Sequence, residues 1–450
     1  MSHWIKSSIF YHIYPLGFCG APKQNDFTAA PVERLSKIES WLDHIQSLGA
    51  NTIYLGPLFE STRHGYDTAD YYHVDRRLGD RATLRRLSEN MHRRGMRLVL
   101  DGVFNHVGRD FWAFRDVRER GQASPYQDWF RGLSFQGSSP YGDPFTYESW
   151  AGHYDLARLN QSNPAVREHL FEAVRMWVEE FNIDGLRLDV ADNLEPDFMR
   201  ALSAFCKSLR PDFWLMGEVI HGDYRGWANP QMLDSVTNYE LYKGLYSSHT
   251  DRNYFELAYS LNRQSGEAGM YRDSLLYTFA DNHDVDRVVE KLKDPAHLYP
   301  LYLLLFTMPG VPSIYYGSEG GIGGRRTEHS DEELRPCLDL AQLQQAAPHP
   351  NLAHTIARLA ALRHETPSLR AGSYHQLDVR SEQMAFLRQS EQGSAVIAVN
   401  MAASPAALDL PLPDGVYTDA LEPGSRFTAE GGRMRLSVPA CWGRVLLPAG

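Results

Sequence analysis

The stretch ATLRRLSENMHRRGMRLVLDGVF, residues 82–104, decides the fold because it joins an amphipathic helix to a buried strand. Three apolar side chains share one face of the predicted helix: Leu84, Leu87 and Met91. Gly95 suits a helix terminus, so the helix is predicted over 82–94. The nearly continuous apolar run that follows predicts a strand over 97–104 with both faces covered, as in a parallel sheet.

The same alternation of strand and helix recurs along most of the chain. Further short apolar runs are predicted as strands: Ile9–Tyr14, Thr52–Leu55, Gly185–Asp189, Trp214–Glu218, Leu275–Phe279 and Ser313–Tyr316. Asn163 is suited to cap another helix, with Pro164 at its first position. Its predicted buried stripe is Val166, Leu170, Val174, Trp177 and Phe181. Repeated βα units predict an α/β fold, a closed (β/α)8 TIM barrel.

Two regions depart from this rhythm. Residues 107–158 are rich in Gly, Ser, Tyr and Trp, show no helical period, and are predicted to form a small excursion domain, domain B, after the third strand. Short alternating strands predict a C-terminal antiparallel β-sandwich over 371–450. Its predicted strands include Met384–Arg388, Ala395–Asn400, Arg433–Val438 and Arg444–Leu447. The barrel is therefore assigned to residues 1–106 and 159–370.

Composition limits the classes of partner. The 450 residues carry a formal net charge of -11, which disfavours nucleic acid and membrane as partners because an acidic surface repels phosphates and anionic lipids. The N-terminal residues lack the pattern of a secretory leader, and no apolar run is long enough to cross a bilayer. The four cysteines show no metal-ligand spacing. These features predict a cytoplasmic protein and leave its oligomeric state open.

Polar side chains follow several predicted strands, at the barrel end where reactive groups lie in this fold. They are Asp101, Asn105, His106, Arg187, Asp189, Glu218, Asn282, His283 and Asp284. Each alone has an ordinary structural explanation, such as a helix cap or an ion-pair partner. Together they favour a site, because neighbouring carboxylates separate in pKa into a protonated acid and an ionised nucleophile. Glycosidic cleavage requires that pair of groups.

Local sequence suggests which carboxylate has which role. Arg187 lies two residues before Asp189, so both side chains point to the same side of the strand and the guanidinium is expected to keep Asp189 ionised. Glu218 follows an apolar run, where loss of hydration is expected to raise its pKa and suit it to act as an acid. Tyr66 follows Gly65 in a predicted loop, where its ring could stack on a sugar.

The segments DGVFNH (101–106), GLRLDV (185–190), GEV (217–219) and FADNHD (279–284), in this order, resemble the α-amylase family of glycoside hydrolases. HGYDTADY (64–71), LARLN (156–160) and GVPSIYYGSE (310–319) add to a resemblance that extends from Ile9 to the C-terminus. It implies a retaining mechanism, with Asp189 as nucleophile, Glu218 as general acid/base and Asp284 as third carboxylate. It also implies sugar binding by Tyr66, Asp67, His106, Arg187 and His283.

Within the family, YDTADY and LARLN look most like the neopullulanase and cyclomaltodextrinase group, which takes short or cyclic maltodextrins. That group's N-terminal β-domain is expected to be absent. Asp192-Asn193 replaces a frequent Asn-Glu, and Ile220 replaces a common aromatic residue on the acceptor side. Asn105 matches a position that binds calcium in many secreted members, but domain B shows no acidic cage, so neither a metal nor a cofactor is predicted.

The expected function is hydrolysis of α-1,4 linkages, with α-1,6 linkages as further candidates, in maltooligosaccharides or cyclodextrins. The resemblance implies a covalent glucosyl-enzyme intermediate. A transglycosylase that passes this intermediate to another sugar is the alternative. A non-catalytic barrel that serves as a scaffold is a third, disfavoured because all three carboxylates are present.

Overall fold

The computed structural model describes residues 3–328 and 330–449. Its strands are β1 (Phe10–Ile13), β2 (Thr52–Leu55), β3 (Phe59–Ser61), β4 (Thr68–Val74), β5 (Arg97–Gly102), β6 (His106–Gly108), β7 (Ser149–Trp150), β8 (His153–Arg158), β9 (Gly185–Leu188), β10 (Trp214–Gly217), β11 (Ser235–Val236), β12 (Tyr277–Phe279), β13 (Val311–Tyr315), β14 (Ser373–Val379), β15 (Gln383–Ser390), β16 (Gly393–Asn400), β17 (Ala406–Pro411), β18 (Gly415–Asp419), β19 (Arg426–Ala429), β20 (Arg433–Val438) and β21 (Trp442–Pro448).

The α-helices are α1 (Pro15–Phe18), α2 (Ser36–Ser47), α3 (Arg81–Arg93), α4 (Trp112–Arg120), α5 (Pro164–Phe181), α6 (Pro196–Leu209), α7 (Tyr239–Asp251), α8 (Tyr254–Ser265), α9 (Val288–Lys291), α10 (Leu298–Thr307), α11 (Leu340–Ala346), α12 (Leu352–Glu365) and α13 (Pro367–Ala371). Short 3-10 helices lie at His3–Ser7, Gly121–Ala123, Gln127–Trp129, Ala191–Asn193, Tyr224–Gly226, Pro295–His297, Ser318–Gly320 and Glu332–Leu334. Within residues 3–328 and 330–449, no helix has the length and apolarity that crossing a bilayer needs.

Eight strands form the central parallel sheet in the order β11-β10-β9-β5-β2-β1-β13-β12. A parallel bridge between Thr237 and Tyr277 joins the two edges and closes the sheet into a barrel. Apart from Arg97 at one end, every residue of these strands is buried, as the apolar runs predict. The predicted (β/α)8 barrel is confirmed. Its sixth strand, β11, has two residues and was not among the predicted strands.

The helix predicted over 82–94 forms as α3. Asp80 accepts a hydrogen bond from the Thr83 backbone N–H at 2.8 Å in a reciprocal capping box, and Gly95 takes a φ of 73° beyond the helix end. Leu84, Leu87 and Met91 are buried, as predicted. In α5 the Asn163 side chain accepts from the Ala165 N–H at 2.9 Å, and the predicted apolar stripe is buried. Local sequence therefore fixes both helices and the strands that follow them.

Domain B contains a three-stranded antiparallel sheet in the order β6-β8-β7, inserted between β5 and α5. The expectation that this region lacks helical periodicity is wrong, because α4 forms within it. Ala113, Phe114 and Val117 are the buried face of α4, at the spacing of a single helical stripe. Charged residues between them and a high aromatic content obscured this pattern. The domain limits at 107 and 158 remain a prediction.

The C-terminal region is an antiparallel sandwich, as predicted. A six-stranded sheet in the order β14-β15-β16-β21-β18-β19 packs over the β17-β20 pair. Side chains from both sheets share one buried core: Ala385, Val396, Ala398, Leu408, Leu410, Met434, Leu436 and Leu446. The four strands expected from the sequence lie within β15, β16, β20 and β21. The domain boundary at residue 371 stays a prediction.

Candidate active site

Polar side chains at the carboxyl ends of the barrel strands converge on one buried cluster. Asp101 on β5 lies in register with Arg187 on β9, and Arg187 lies in register with Met216 on β10. The ends of these three neighbouring strands therefore meet at one edge of the barrel. The carboxylate cluster at this edge consists of Asp101, Asp189, Glu218 and Asp284.

Arg187 is the cation that three of the carboxylates share. Its Nη1 lies 2.8 Å from Asp189 Oδ1 and 3.0 Å from Asp101 Oδ1, and its Nη2 lies 2.9 Å from Glu218 Oε2. The Arg187 side chain is 4 % exposed, so these contacts are shielded from water. Charge-assisted hydrogen bonds of this length are among the stronger polar contacts in proteins. One guanidinium thus fixes the positions of Asp189 and Glu218 relative to each other.

The turn after Asp189 adds a second link to Glu218. Val190 takes the left-handed conformation with a φ of 40° and a ψ of 51°, which is rare for a β-branched residue. Its N–H donates to Glu218 Oε2 at 3.0 Å, and the Ala191 N–H donates to the Glu218 carbonyl at 2.9 Å. The strained turn therefore holds the end of β9 against the end of β10.

Burial raises the pKa values of both Asp189 and Glu218, while Arg187 opposes the shift at each. The raised pKa of Glu218 agrees with the expectation from its apolar strand. The expectation that Arg187 would keep Asp189 ionised is not supported, because that one guanidinium is divided among three carboxylates and Glu218 and Asp101 also raise the Asp189 pKa. Two buried carboxylates that share one cation titrate as a coupled pair, and their raised pKa values favour the protonated form of the pair.

Asp284 lies in a different electrostatic environment. Burial alone would raise its pKa, but His283 and the Arg335 guanidinium outweigh that effect and lower the pKa well below its usual value. His283 Nε2 lies 3.0 Å from Asp284 Oδ2, and Arg335 Nη2 lies 2.9 Å from Asp284 Oδ1. The Asp284 side chain also remains 31 % exposed, so water contributes to its hydration. The surroundings of Asp284 therefore favour its ionised form, whereas those of Asp189 and Glu218 favour the protonated form.

Tyr66 and three histidine rings line the same region. The Tyr66 ring stacks on His283 with centroids 5.6 Å apart, and its hydroxyl contacts His283 Nε2 and donates to Asp101 Oδ2 at 3.2 Å. Among the described residues of this region, three buried ring nitrogens have no hydrogen-bond partner: His12 Nε2, His106 Nε2 and His283 Nδ1. His106 Nε2 is 3.9 Å from Asp189 Oδ2. Unpaired buried nitrogens beside a carboxylate pair are typical of a site that a polar ligand completes.

The α-amylase family profile, described as alpha amylase, catalytic domain, matches residues 12–349. The chain belongs to the α-amylase family. It is 32% identical over 416 residues to a cyclomaltodextrinase from Bacillus sp, covering 88% of this chain and 73% of that protein. It is 31% identical over 475 residues to neopullulanase 2 from Thermoactinomyces vulgaris, covering 98% and 78%.

A solved structure gives the same result. The ligand-free cyclic α-maltosyl-(1→6)-maltose hydrolase from Arthrobacter globiformis matches with a TM-score of 0.82 and 25% identity, covering 100% of each chain. The resemblance inferred from the sequence is therefore confirmed, and this α-amylase family member is a glycoside hydrolase.

Asp67 is placed differently from the other predicted sugar-binding residues. It is buried in the loop 62–67, which joins β3 to β4, and its Oδ1 accepts the His64 N–H at 3.0 Å. Its Oδ2 lies 3.7 Å from Arg63 Nε. Both oxygens thus have partners inside the loop that carries Tyr66. A direct bond from Asp67 to a sugar remains a prediction, whereas its contacts within the loop are present.

The position that binds calcium in many α-amylase family members does not fit a metal here. Asn105 Oδ1 accepts a hydrogen bond from Arg158 Nη2 at 3.4 Å, and the same nitrogen donates to the Asn193 carbonyl at 3.2 Å. Calcium needs six to eight oxygen ligands. The Arg158 guanidinium already donates to the side-chain oxygen of Asn105 and to the carbonyl oxygen of Asn193. These two oxygens therefore bind a cationic side chain of the protein instead of a metal ion.

Sequence reasoning missed several residues of the site. Arg335 contacts Asp284, donates from Nε to the His283 carbonyl at 3.0 Å, and lies over the Tyr14 ring at 4.6 Å. Tyr54 donates to Asp101 Oδ2 at 2.9 Å and stacks on His12 at 4.2 Å. Tyr54 and His12 lie inside predicted strands, so alternation could have placed them in the barrel interior. Arg335 lies in a loop with no regular pattern, and no local signal identifies it.

Proposed function

We propose that the chain is a retaining hydrolase of α-1,4-glucosidic linkages in maltooligosaccharides or cyclodextrins. The observation that carries the proposal is Arg187, whose guanidinium holds Asp189 and Glu218 together in one buried cluster. Two carboxyl groups fixed side by side, of which one can attack while the other gives a proton, are the requirement for retention. The third carboxylate, Asp284, lies partly exposed at the rim of the same cluster, where its lowered pKa favours the ionised form.

In the first step an oxygen of Asp189 attacks the anomeric carbon as the bond from that carbon to the leaving sugar breaks. Glu218 transfers its proton to the departing oxygen, so the leaving sugar departs as an alcohol. In the second step water attacks the anomeric carbon and Asp189 departs. Glu218 takes the proton from the water and returns to its starting state. Arg187 stays bonded to both carboxylates as their charges change.

The surrounding residues are proposed to bind the sugar at the cleavage point. Tyr66 offers an aromatic surface for stacking. His106 Nε2 and His283 Nδ1 are the unpaired atoms that hydroxyl groups of the sugar would satisfy. Asp284 is proposed to bind hydroxyls as the ring flattens toward the transition state, where bonds to the sugar strengthen. Asp67 is assigned to the same surface through the loop that it shares with Tyr66.

Short substrates are favoured on the acceptor side. Ile220, two residues after Glu218, is 43% exposed and offers no aromatic platform for an incoming chain. The relatives named cyclomaltodextrinase and neopullulanase match most of this chain, which supports cyclodextrins and α-1,6 linkages as further substrates. A cytoplasmic location fits substrates of this size, and cell fractionation tests it.

Proton NMR of the first minutes of maltotriose hydrolysis tests the mechanism. Retention requires the α-anomer to appear before mutarotation, and early β-anomer contradicts the proposal. A panel of maltotriose, cyclodextrin, pullulan and soluble starch, followed by mass analysis of products, tests substrate range. Products longer than the starting sugar at high substrate concentration would identify the transglycosylase alternative.

A further inference from the structure

We propose that the ion pair between Arg63 and Asp155 closes the non-reducing-end side of the sugar-binding cleft and limits how long a glucan segment that side accepts. Arg63 belongs to the loop 62–67, and Asp155 lies on β8 of domain B. The inference rests on the proposed function, since it concerns how a glucan chain lies across the same carboxylate cluster.

The Arg63–Asp155 pair connects the loop that carries Tyr66 to strand β8 of domain B. Arg63 Nη2 contacts Asp155 Oδ2, and Arg63 Nε lies 3.7 Å from Asp67 Oδ2. The Asp155 side chain is 26% exposed and that of Asp67 is 3% exposed. Arg63 therefore spans from the buried base of its own loop to the hairpin of domain B, and its guanidinium has a carboxylate on each side.

The topology places this pair opposite the leaving group. Loop 62–67 joins β3 to β4, which lie between the barrel strands β2 and β5 in the sequence. Glu218 follows the barrel strand β10. Strands β9 and β5 separate β10 from β2 in the barrel. The leaving sugar departs on the side of Glu218, which protonates it. The loop after β2 thus contacts the part of the substrate that stays bound to Asp189, which is the non-reducing end.

Contacts around His64 show which groups lie close to the non-reducing end of the substrate. The His64 ring lies 6.2 Å from the Tyr66 ring, and the Tyr14 hydroxyl donates to the His64 carbonyl at 2.7 Å. Burial lowers the pKa of His64, and charges from Asp67, Arg63, Arg335 and Asp155 all act on it. Tyr14, which follows β1, and Asp155 of domain B therefore both contact loop 62–67 close to the stacking ring.

This arrangement predicts the products. If Tyr66 stacks on the sugar at the cleavage point, His64 and the Arg63–Asp155 pair lie next to that sugar on the non-reducing side and restrict the space for further sugars. Cleavage of maltohexaose should then release short fragments from its non-reducing end more often than it cuts near the middle of the chain. Opening the pair should admit a longer non-reducing portion and shift cleavage toward the middle of the chain.

The test is early-time digestion of maltohexaose labelled with ¹⁸O at its reducing end, with mass analysis to assign each cleaved bond. Asp155→Ala and Arg63→Ala remove the pair from either side, and Asp155→Ala leaves the Arg63–Asp67 contact in place. We expect the share of maltotriose and longer products from the non-reducing end to rise several-fold in both. The exchanged variant, Arg63→Glu with Asp155→Arg, should return the product pattern toward that of the wild type.

Thr62→Val is the matched control. Thr62 Oγ1 donates to Asp110 Oδ2 at 2.9 Å, so it joins the same loop to domain B without taking part in the pair. Its products should match the wild type. An unchanged pattern in Asp155→Ala, or an equal shift in Thr62→Val, overturns the inference while hydrolysis by the wild type upholds the proposed function. Failure of the wild type to cleave any α-glucan overturns both.

Discussion

Replacing Arg187 by methionine tests whether one guanidinium holds the carboxylate cluster together. The substitution keeps a long side chain but leaves Asp101, Asp189 and Glu218 without the cation that lies 2.8–3.0 Å from each. Breaking a buried ion pair by removal of one partner costs about 3–5 kcal/mol. For 450 residues, an unfolding entropy of about 2.1 cal/mol/K per residue converts this into a fall in Tm of about 3–5 °C.

The fall in Tm should depend on pH. Without Arg187, the pKa values of Asp189 and Glu218, already raised by burial, rise further above those in the unfolded chain. Between the unfolded values near 4 and the raised folded values, the folded state binds more protons, so its stability decreases as pH increases. The difference in Tm between wild type and Arg187→Met should therefore widen from pH 5 to pH 8.

Differential scanning calorimetry of both proteins at several pH values measures this effect. Arg325→Met is the matched control, because Arg325 pairs with Glu290 at 2.8 Å but its side chain is 68% exposed. Solvent and salt screen an exposed pair strongly, so the control should lower Tm by about 1 °C or less at every pH. Equal losses in the two variants, or a gap for Arg187→Met that stays constant with pH, would refute the reasoning.

Three further outcomes are expected. Asp189→Asn removes the attacking charge and should lower kcat by several orders of magnitude with an unchanged circular dichroism spectrum; more than a few per cent residual activity contradicts its role. Glu218→Gln should lose about 10²–10⁴-fold on maltotriose but far less on α-glucosyl fluoride, which needs no proton to leave; equal losses on both would exclude Glu218 as the acid. Initial rates at matched chain concentration should give maltotriose a higher kcat/KM than soluble starch, and the reverse order would argue against short substrates.

Sequence identified most of the barrel because each strand is covered on both faces and is therefore apolar along its length. The sixth strand was not predicted because Ser235–Val236 contributes only two residues to the sheet, too few to show any period. Helix α4 was not predicted for a different reason. Its buried face is three residues wide, and the arginines on its exposed face dominate the local composition. Short elements held by their neighbours carry little signal of their own.

The candidate site also contains residues that the sequence predicts and residues that it does not. Asp189, Glu218 and Asp284 could be proposed from sequence because reactive groups follow barrel strands. Their electrostatics could not be obtained that way, since spacing along β9 shows that Arg187 accompanies Asp189 but not that it also reaches Asp101 and Glu218. Arg335 comes from a distant loop, and its contact with Asp284 depends on how that loop folds over Tyr14. Partners shared across strands are a property of the closed barrel.

The left-handed conformation of Val190 lowers stability, but the peptide in this conformation holds Glu218 in place. A β-branched residue in this conformation costs on the order of 1–3 kcal/mol, and glycine at the same place would remove most of that strain. A screen for heat resistance should therefore favour Val190→Gly. The same change would free the peptide whose N–H holds Glu218 Oε2, and the carboxylate would sample more orientations between turnovers. Laboratory evolution for thermal endurance and for catalytic speed should thus diverge at this one position.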